Sequence, residues 1–132
     1  MTQQTAMEYQ QNIYQENTNT VHFFIRRQHT NAPCGVVAMR AEGGGKVRVA
    51  ISLCAAVDSW NKKAGVAKAY GRLVGQKNYL FDSKSQLTFS DIISKLVKRP
   101  SAIHSLSRTD FEHASDLFEK QIKWFEKEGF LT

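Results

Sequence analysis

Apolar and polar residues alternate in the first part of the chain. Val21, Phe23 and Ile25 share one face of a predicted strand. Two further alternating segments, residues 34–42 and 46–54, flank three consecutive glycines, a pattern typical of a β-hairpin. The pattern therefore predicts an antiparallel sheet at the N-terminal side of the protein.

Pairing symmetric about Gly44 would give the hairpin one apolar face and one mixed face. On the mixed face Arg40 lies opposite Arg48, with small alanines beside them. Like charges directly opposite each other are mildly destabilising, so this pair predicts a shallow, positively charged floor. Both guanidinium groups pointing into water, or a register shifted by a bulge in the glycine loop, are the alternatives. The predicted apolar pairs are Val37–Ile51, Met39–Val49 and Ala41–Val47, and the mixed pairs are Cys34–Cys54, Val36–Ser52, Ala38–Ala50, Arg40–Arg48 and Glu42–Lys46.

Helical periodicity follows the hairpin. Asp58 is a suitable N-cap and Gly75 a suitable stop for a helix of about four turns. Its residues Val66, Tyr70 and Leu73 should pack on the apolar face of the sheet. A loop through residues 81–85 is expected next.

Two more helices complete the pattern. Thr88 should cap a helix that ends at Pro100. Ser107 or Thr109 should begin the last helix, which ends at Gly129. Its buried stripe is Phe111, Ala114, Phe118, Ile122 and Phe125, with Leu117 and Trp124 either widening that stripe or forming a subunit contact.

The order of elements predicts an α+β fold in which C-terminal α-helices pack on an N-terminal antiparallel β-sheet in two layers. Residues 21–132 should form a single α+β domain. Residues 1–20, rich in Gln, Asn and Thr, should be an arm that is flexible or is ordered by a partner subunit.

The positive charge of the chain is concentrated in one segment. The net charge is +6, and residues 21–77 contain ten Lys or Arg residues but only two acidic ones. Such a balance favours anionic partners, although a solvated basic face is the simpler explanation. No apolar run is long enough to cross a membrane, and the first twenty residues, which lack Lys, Arg and an apolar segment, do not fit a secretory signal. We therefore expect the cytoplasm, or a host's cytoplasm, and no membrane partner.

The helix after the hairpin carries the best candidate binding residues. Asn61, Gly65, Lys68 and Arg72 recur at helical spacing on one face. An amide can bind a base or ribose, a glycine lets a ligand approach the backbone, and the two cations can bind phosphate. A solvated face, with Trp60 covering the core, is the alternative. The candidate ligand-binding residues are Asn61, Gly65, Lys68, Arg72, Trp60, Lys62, Lys63, Arg40 and Arg48.

A second basic cluster precedes the last helix. Lys98, Arg99 and Arg108 could provide another anion contact. The alternative is that these cations only complement the end of a helix dipole. Neither the two cysteines nor the four histidines have metal-ligand or nucleophile spacing. The glycine triplet lacks the Lys-Ser/Thr of a phosphate-binding loop. We therefore expect no enzyme activity, no metal and no cofactor.

Residues 58–72, which follow a hairpin ending at residues 52–54, contain an acidic residue, an aromatic, a basic pair, a glycine and a final Gly-Arg. This order resembles a pattern of small bacteriophage proteins. Size, element order and the basic helix resemble the Thoeris anti-defence sponge family of phage. The resemblance implies a homo-oligomer that sequesters a cyclic nucleotide-type immune signal in the host cytoplasm without degrading it. It transfers no pocket residue to this chain.

Two other classes of function remain open. The same basic surface could bind DNA or RNA, in which case affinity should fall steeply with salt. It could instead steer the protein toward an acidic protein partner on a host machine. A pocket for one small nucleotide should depend on salt much less than a nucleic-acid surface.

Overall fold

The computed structural model describes residues 19–54 and 59–132. Residues 1–18 of the predicted N-terminal arm, and Asp58, fall outside this description, whereas the arm's last residue, Thr20, belongs to the first strand. The strands are β1 (Thr20–Arg27), β2 (Ala32–Gly43), β3 (Lys46–Leu53) and β4 (Tyr79–Asp82), and the helices are α1 (Lys62–Val74), α2 (Phe89–Leu96), α3 (Pro100–His104) and α4 (Arg108–Lys127).

The four strands form one antiparallel sheet in the order β1-β2-β3-β4. The predicted hairpin register is confirmed from Val36↔Ser52 to Ala41↔Val47. A bulge at the turn pairs Gly43 rather than Glu42 with Lys46. All three turn glycines have positive φ, which other residues rarely adopt, so the glycine triplet determines where the hairpin turns.

The loop predicted for residues 81–85 is wrong for its first two residues, which belong to a strand. Residues Tyr79–Asp82 instead form β4, which pairs with β3 along Lys46–Val49. Phe81 from this strand is buried in the core. Four residues are too few to show a clear alternation, so the free edge of β3 is what makes this short segment a strand.

The α+β class is confirmed, but the helices cover both faces of the sheet. On one face, Val37, Met39 and Ile51 pack with α2 and α4. On the other face, Val36, Ala38 and Ala50 pack with α1. The fold therefore has three layers rather than two, and α1 lies on the mixed face of the hairpin, not on its apolar face. The two alanines allow this because their short side chains let the helix approach the strands closely.

The helix boundaries follow from their caps. Asn61, not Asp58, is the N-cap of α1, and its Oδ1 accepts a hydrogen bond from the Ala64 backbone at 2.9 Å. Thr88 caps α2 as predicted, and of the two predicted starts of the last helix it is Ser107 that caps α4. Each forms a capping box with the acidic residue three positions later. Helix α2 ends before Pro100, which opens the short helix α3 because its fixed φ suits a first helical position.

Buried Asp110 joins α4 to the turn between β1 and β2. Its carboxylate accepts hydrogen bonds from the backbone N–H groups of Gln28 at 2.7 Å and Ser107 at 2.9 Å. Burial by itself raises the pKa of Asp110, but these bonds and the nearby charge of Arg27 outweigh it and lower the pKa. The last helix is thus fixed to the sheet by a charged group as well as by its apolar stripe.

The predicted stripe of α4 is confirmed, with Ala114, Phe118 and Phe125 buried. Trp124 is partly buried against Phe125 and Phe130, with ring centroids 5.6 and 5.7 Å away. Within the described residues, none of the helices combines the length and the apolar character needed to span a membrane.

Candidate functional site: a basic groove beside helix α1

A groove runs along one side of α1, between this helix and the connection from α2 to α3. Two adjoining cavities of about 220 and 540 Å³ form it. They share Ser52 and Leu53 at the end of β3, Lys68 from α1 and Arg99 from the α2–α3 connection. The larger volume lies within the range of about 300–1,000 Å³ that is usual for small-molecule sites.

The larger cavity is lined by positively charged side chains from four successive parts of the chain. Among the described residues that line either cavity, none is acidic. Focused charge of one sign in a concave site attracts anions more strongly than the same charge on a convex surface. The basic residues of the groove are Lys68, Arg72, Lys77, Lys95, Lys98 and Arg99.

Local structure fixes the direction of two of these cations. The guanidinium of Arg72 donates a hydrogen bond from Nη1 to the Ile51 carbonyl, at 2.6 Å, which holds it across the end of the groove. The ammonium of Lys95 lies 5.8 Å from the centroid of the Tyr79 ring. Both contacts leave the positive charge intact, so they orient these cations without neutralising them.

Several groove lysines also lack an acidic neighbour. Lys68, Lys77 and Lys98 are exposed and form no ion pair within the described part of the chain. Elsewhere, Lys46 pairs with Asp82 at 2.6 Å and Arg108 with Glu112 at 2.9 Å. These three lysines are therefore left by the described residues available to an external anion.

The described residues that line the smaller cavity are mostly neutral and include one aromatic ring. Trp60 and Asn61 lie at its wall, and the other lining residues besides the four shared ones are Cys54, Ser59, Ala64 and Gly65. The N-cap bond occupies the Oδ1 atom of Asn61 but leaves its Nδ2 group as a donor. This end of the groove therefore offers apolar contact and hydrogen bonds rather than charge.

Gly65 has a different role from the one predicted. A Cβ atom at this position would lie 2.9 Å from the Trp60 ring and 3.3 Å from Val36. The missing side chain makes room for the indole against the sheet. The space beside the Gly65 backbone is therefore occupied by Trp60 and is not open to a ligand. Trp60 in turn covers the α1 side of the core beside Phe24, as the alternative interpretation proposed, while still lining the cavity.

The predicted floor around Arg40 and Arg48 is not an open cationic surface. Both side chains pair with the same Glu42 oxygen, at 3.1 and 2.6 Å. Hydrogen bonds from both arginines lower the pKa of Glu42, with that from Arg48 the stronger cause, so the carboxylate stays ionised between the two like charges. The opposed arginines are stabilised by this shared acid and line neither cavity of the groove.

Asn78 lines the groove and was not among the residues that the sequence analysis indicated. Its Nδ2 group donates to the carbonyls of Arg72, Leu73 and Gly75, and its Oδ1 accepts from Arg48 at 2.7 Å. It therefore closes the C-terminal end of α1 at the point where the groove begins. The sequence signal for this role is an Asn shortly after a helix-stop glycine. The three carbonyl acceptors of its Nδ2 group, however, depend on how the chain turns after α1.

The remaining predicted residues lie outside the groove. Lys62 places its ammonium 4.8 Å from the Phe24 ring centroid, on the β1 side of α1, and Lys63 is exposed. The side chain of Arg108 is 92% exposed and paired with Glu112. The structure thus brings Lys68 and Arg72 together with Lys98 and Arg99 and separates Arg108 from them.

The two cysteines do not form a disulfide bond with each other. Cys34 and Cys54 are free, and burial raises the pKa of the Cys34 thiol to about 11. Among the described residues, no group of three metal-ligating side chains converges.

Because comparison with known proteins identifies no family, the class of this protein rests on its fold and its groove. The chain matches no protein-family model, and no curated protein or solved structure is detectably similar to it. The geometry defines an α+β protein with a basic groove between α1 and the connection from α2 to α3.

Proposed function

We propose that this protein binds a phosphorylated nucleotide in the groove beside α1 and holds it without cleaving it. The observation that carries the proposal is the convergence of six basic side chains on one concavity with no acidic residue among the described lining residues. The resemblance to the phage anti-defence sponge family suggests the setting: a homo-oligomer that sequesters an immune signal in the host cytoplasm.

Three properties of the groove support a small ligand. Its two cavities have the volume of a small-molecule site rather than of an extended surface. Its cations face inward from α1 on one side and from the α2–α3 connection on the other, so a ligand between them is bound from both sides. Its neutral end, beside Trp60, provides the hydrogen-bonding and aromatic groups that a base requires.

The direct test is to incubate the purified protein with a nucleotide extract, wash it, denature it and identify released molecules by mass spectrometry. An intact phosphorylated nucleotide, in amounts that scale with protein, is the expected result. A released ligand that has been hydrolysed during incubation would contradict holding without cleavage. Recovery of no nucleotide would contradict the proposal itself.

A matched pair of variants ties binding to the groove. Lys68→Gln combined with Lys98→Gln removes two groove charges, whereas Lys120→Gln combined with Lys123→Gln removes two exposed charges from α4. The groove variant should bind recovered nucleotide at least about tenfold more weakly, which corresponds to about 1.4 kcal/mol. The α4 variant should bind like the unaltered protein. Equal affinity of both variants would place the site elsewhere.

Nucleic-acid binding is the competing outcome of the same experiments. A duplex that contacts several cations should lose affinity steeply with salt, by about 0.9 in log K per phosphate contact for each tenfold rise. Steep dependence with DNA or RNA, together with no recovered nucleotide, would favour that function over the proposed one.

A further inference from the structure

The two ends of the groove differ in chemistry, and this difference defines a direction for the ligand. Among the described residues that line the smaller cavity, the cations are Lys68 and Arg99, at the point where it joins the larger one. The larger cavity adds four more, from Arg72, Lys77, Lys95 and Lys98. Charge therefore increases along the groove, away from Trp60.

The size of the charged part exceeds what one phosphate group needs. Its volume of about 540 Å³ lies in the range of about 300–1,000 Å³ that is usual for whole small-molecule ligands. The cations also come from different elements around this volume, since Lys68 belongs to α1, Lys95 to α2 and Lys98 to the segment after α2. A monophosphate, with about two negative charges, can be close to only some of them.

From this asymmetry we infer that the ligand is a nucleoside carrying a chain of two or three phosphates. Its base occupies the smaller cavity beside Trp60 and Asn61, and its phosphate chain extends along the cations of the larger cavity. The smaller cavity, at about 220 Å³, has room for one heterocyclic base. This inference rests on the proposed function and adds the class of ligand and its orientation.

Asn61 provides the polar contact at the base end. Its Oδ1 is engaged in capping α1, so the group it offers to the ligand is the Nδ2 donor, which suits a ring nitrogen or carbonyl acceptor. Ser is also a good N-cap. Asn61→Ser therefore keeps the helix start while removing the amide donor, and it separates a binding role from a structural one.

The test is a calorimetric titration of the full chain with adenosine, AMP, ADP and ATP, the guanosine series, and inorganic tripolyphosphate, without divalent cations. Affinity should rise at least about tenfold from monophosphate to triphosphate in one or both series. Tripolyphosphate should bind more weakly than the triphosphate and compete with it, and the free nucleosides should give no measurable heat. Equal affinity for mono- and triphosphates would overturn the inference while leaving the proposed function standing.

Variants at the two ends should have separable effects. Asn61→Ser should weaken the nucleoside triphosphate severalfold and leave tripolyphosphate unchanged, whereas Lys98→Gln should weaken both. Trp60→Leu should behave like Asn61→Ser if its melting temperature shows that it folds, and Asn61→Ser alone decides the matter if it does not. Loss of tripolyphosphate binding in Asn61→Ser would refute the orientation. Failure of every phosphorylated compound in this panel to bind would also overturn the inference, and the proposed function falls with it only if the extract yields no bound nucleotide.

Discussion

Individual residues in this protein show how one local feature can fit two explanations. A glycine on the α1 face that also carries Lys68 and Arg72 fits a helix surface open to a ligand. The coordinates show that the space at Gly65 is filled by Trp60, whose ring would lie 2.9 Å from an added Cβ atom. The position of the Trp60 side chain, five residues earlier, distinguishes the two explanations. The helical spacing of the α1 residues carries no information about where that side chain lies.

The two glycines within α1 provide a matched test of this interpretation. Gly65→Ala should lower the free energy of unfolding by about 1–3 kcal/mol, because the added methyl group displaces a packed indole. Gly71→Ala should raise it by about 0.5–1 kcal/mol, because Gly71 is exposed, has open space beside it and gains only helix propensity. Chemical denaturation of both variants measures the difference. Shifts of the same sign would show that Trp60 is not held against the helix as described.

Among the elements, those marked by local chemistry could be predicted and those set by distant packing could not. Positive φ at Gly43, Gly44 and Gly45 fixes the hairpin, and the capping boxes at Thr88 and Ser107 fix two helix starts. The face on which α1 packs, the existence of β4 and the three-layer arrangement depend on which strand edges and faces remain free after the hairpin forms.

The candidate site divides in the same way. The contribution of α1, through Lys68 and Arg72, follows from helical spacing. Its meeting with Lys98 and Arg99 requires the chain to return past β4 and α2, which sequence patterns do not specify. The hairpin register predicts that Arg40 and Arg48 lie opposite each other, and this is confirmed. Their shared ion pair with Glu42, which removes them from the site, does not follow from that register.

The attachment of α4 to the β1–β2 turn should depend on ionised Asp110, which is only 2% exposed. Asp110→Asn should lower the free energy of unfolding at pH 7 by about 1–3 kcal/mol, because one of two buried backbone donors loses its charged acceptor. Since the folded state lowers this pKa, the stabilisation is present above about pH 4 and is lost as the pH falls below that value. The difference between variant and unaltered protein should therefore shrink toward pH 3.

Asp116→Asn is the control for this charge change, because Asp116 is exposed on the same helix. Thermal or urea unfolding at pH 7 should show little effect of Asp116→Asn. A penalty for Asp110→Asn that stayed constant from pH 7 to pH 3 would show that packing, rather than the ionised carboxylate, joins α4 to the sheet.

At the scale of the whole molecule, the charge distribution predicts a conflict between binding and stability. Residues 78–132 contain equal numbers of basic and acidic residues, so the excess charge of the chain lies in residues 21–77. The fold then places Lys95, Lys98 and Arg99 from the balanced segment beside Lys68 and Arg72 from the basic one. Without a bound anion these groups repel one another, and such repulsion is typical of sites kept for function at some cost in stability.

Neutralising part of this groove should therefore stabilise the free protein. In about 10 mM salt, where the Debye length is about 30 Å, Lys68→Gln combined with Lys98→Gln should raise the free energy of unfolding by about 0.3–1 kcal/mol. Lys120→Gln combined with Lys123→Gln should leave it unchanged or lower it, because acidic residues such as Glu119 and Glu126 accompany those lysines on α4. In about 1 M salt, where the Debye length is about 3 Å, the gain of the groove variant should vanish. A groove variant that is less stable than the α4 variant at low salt would mean that these lysines support the fold, and the groove would no longer qualify as a site built to receive an anion.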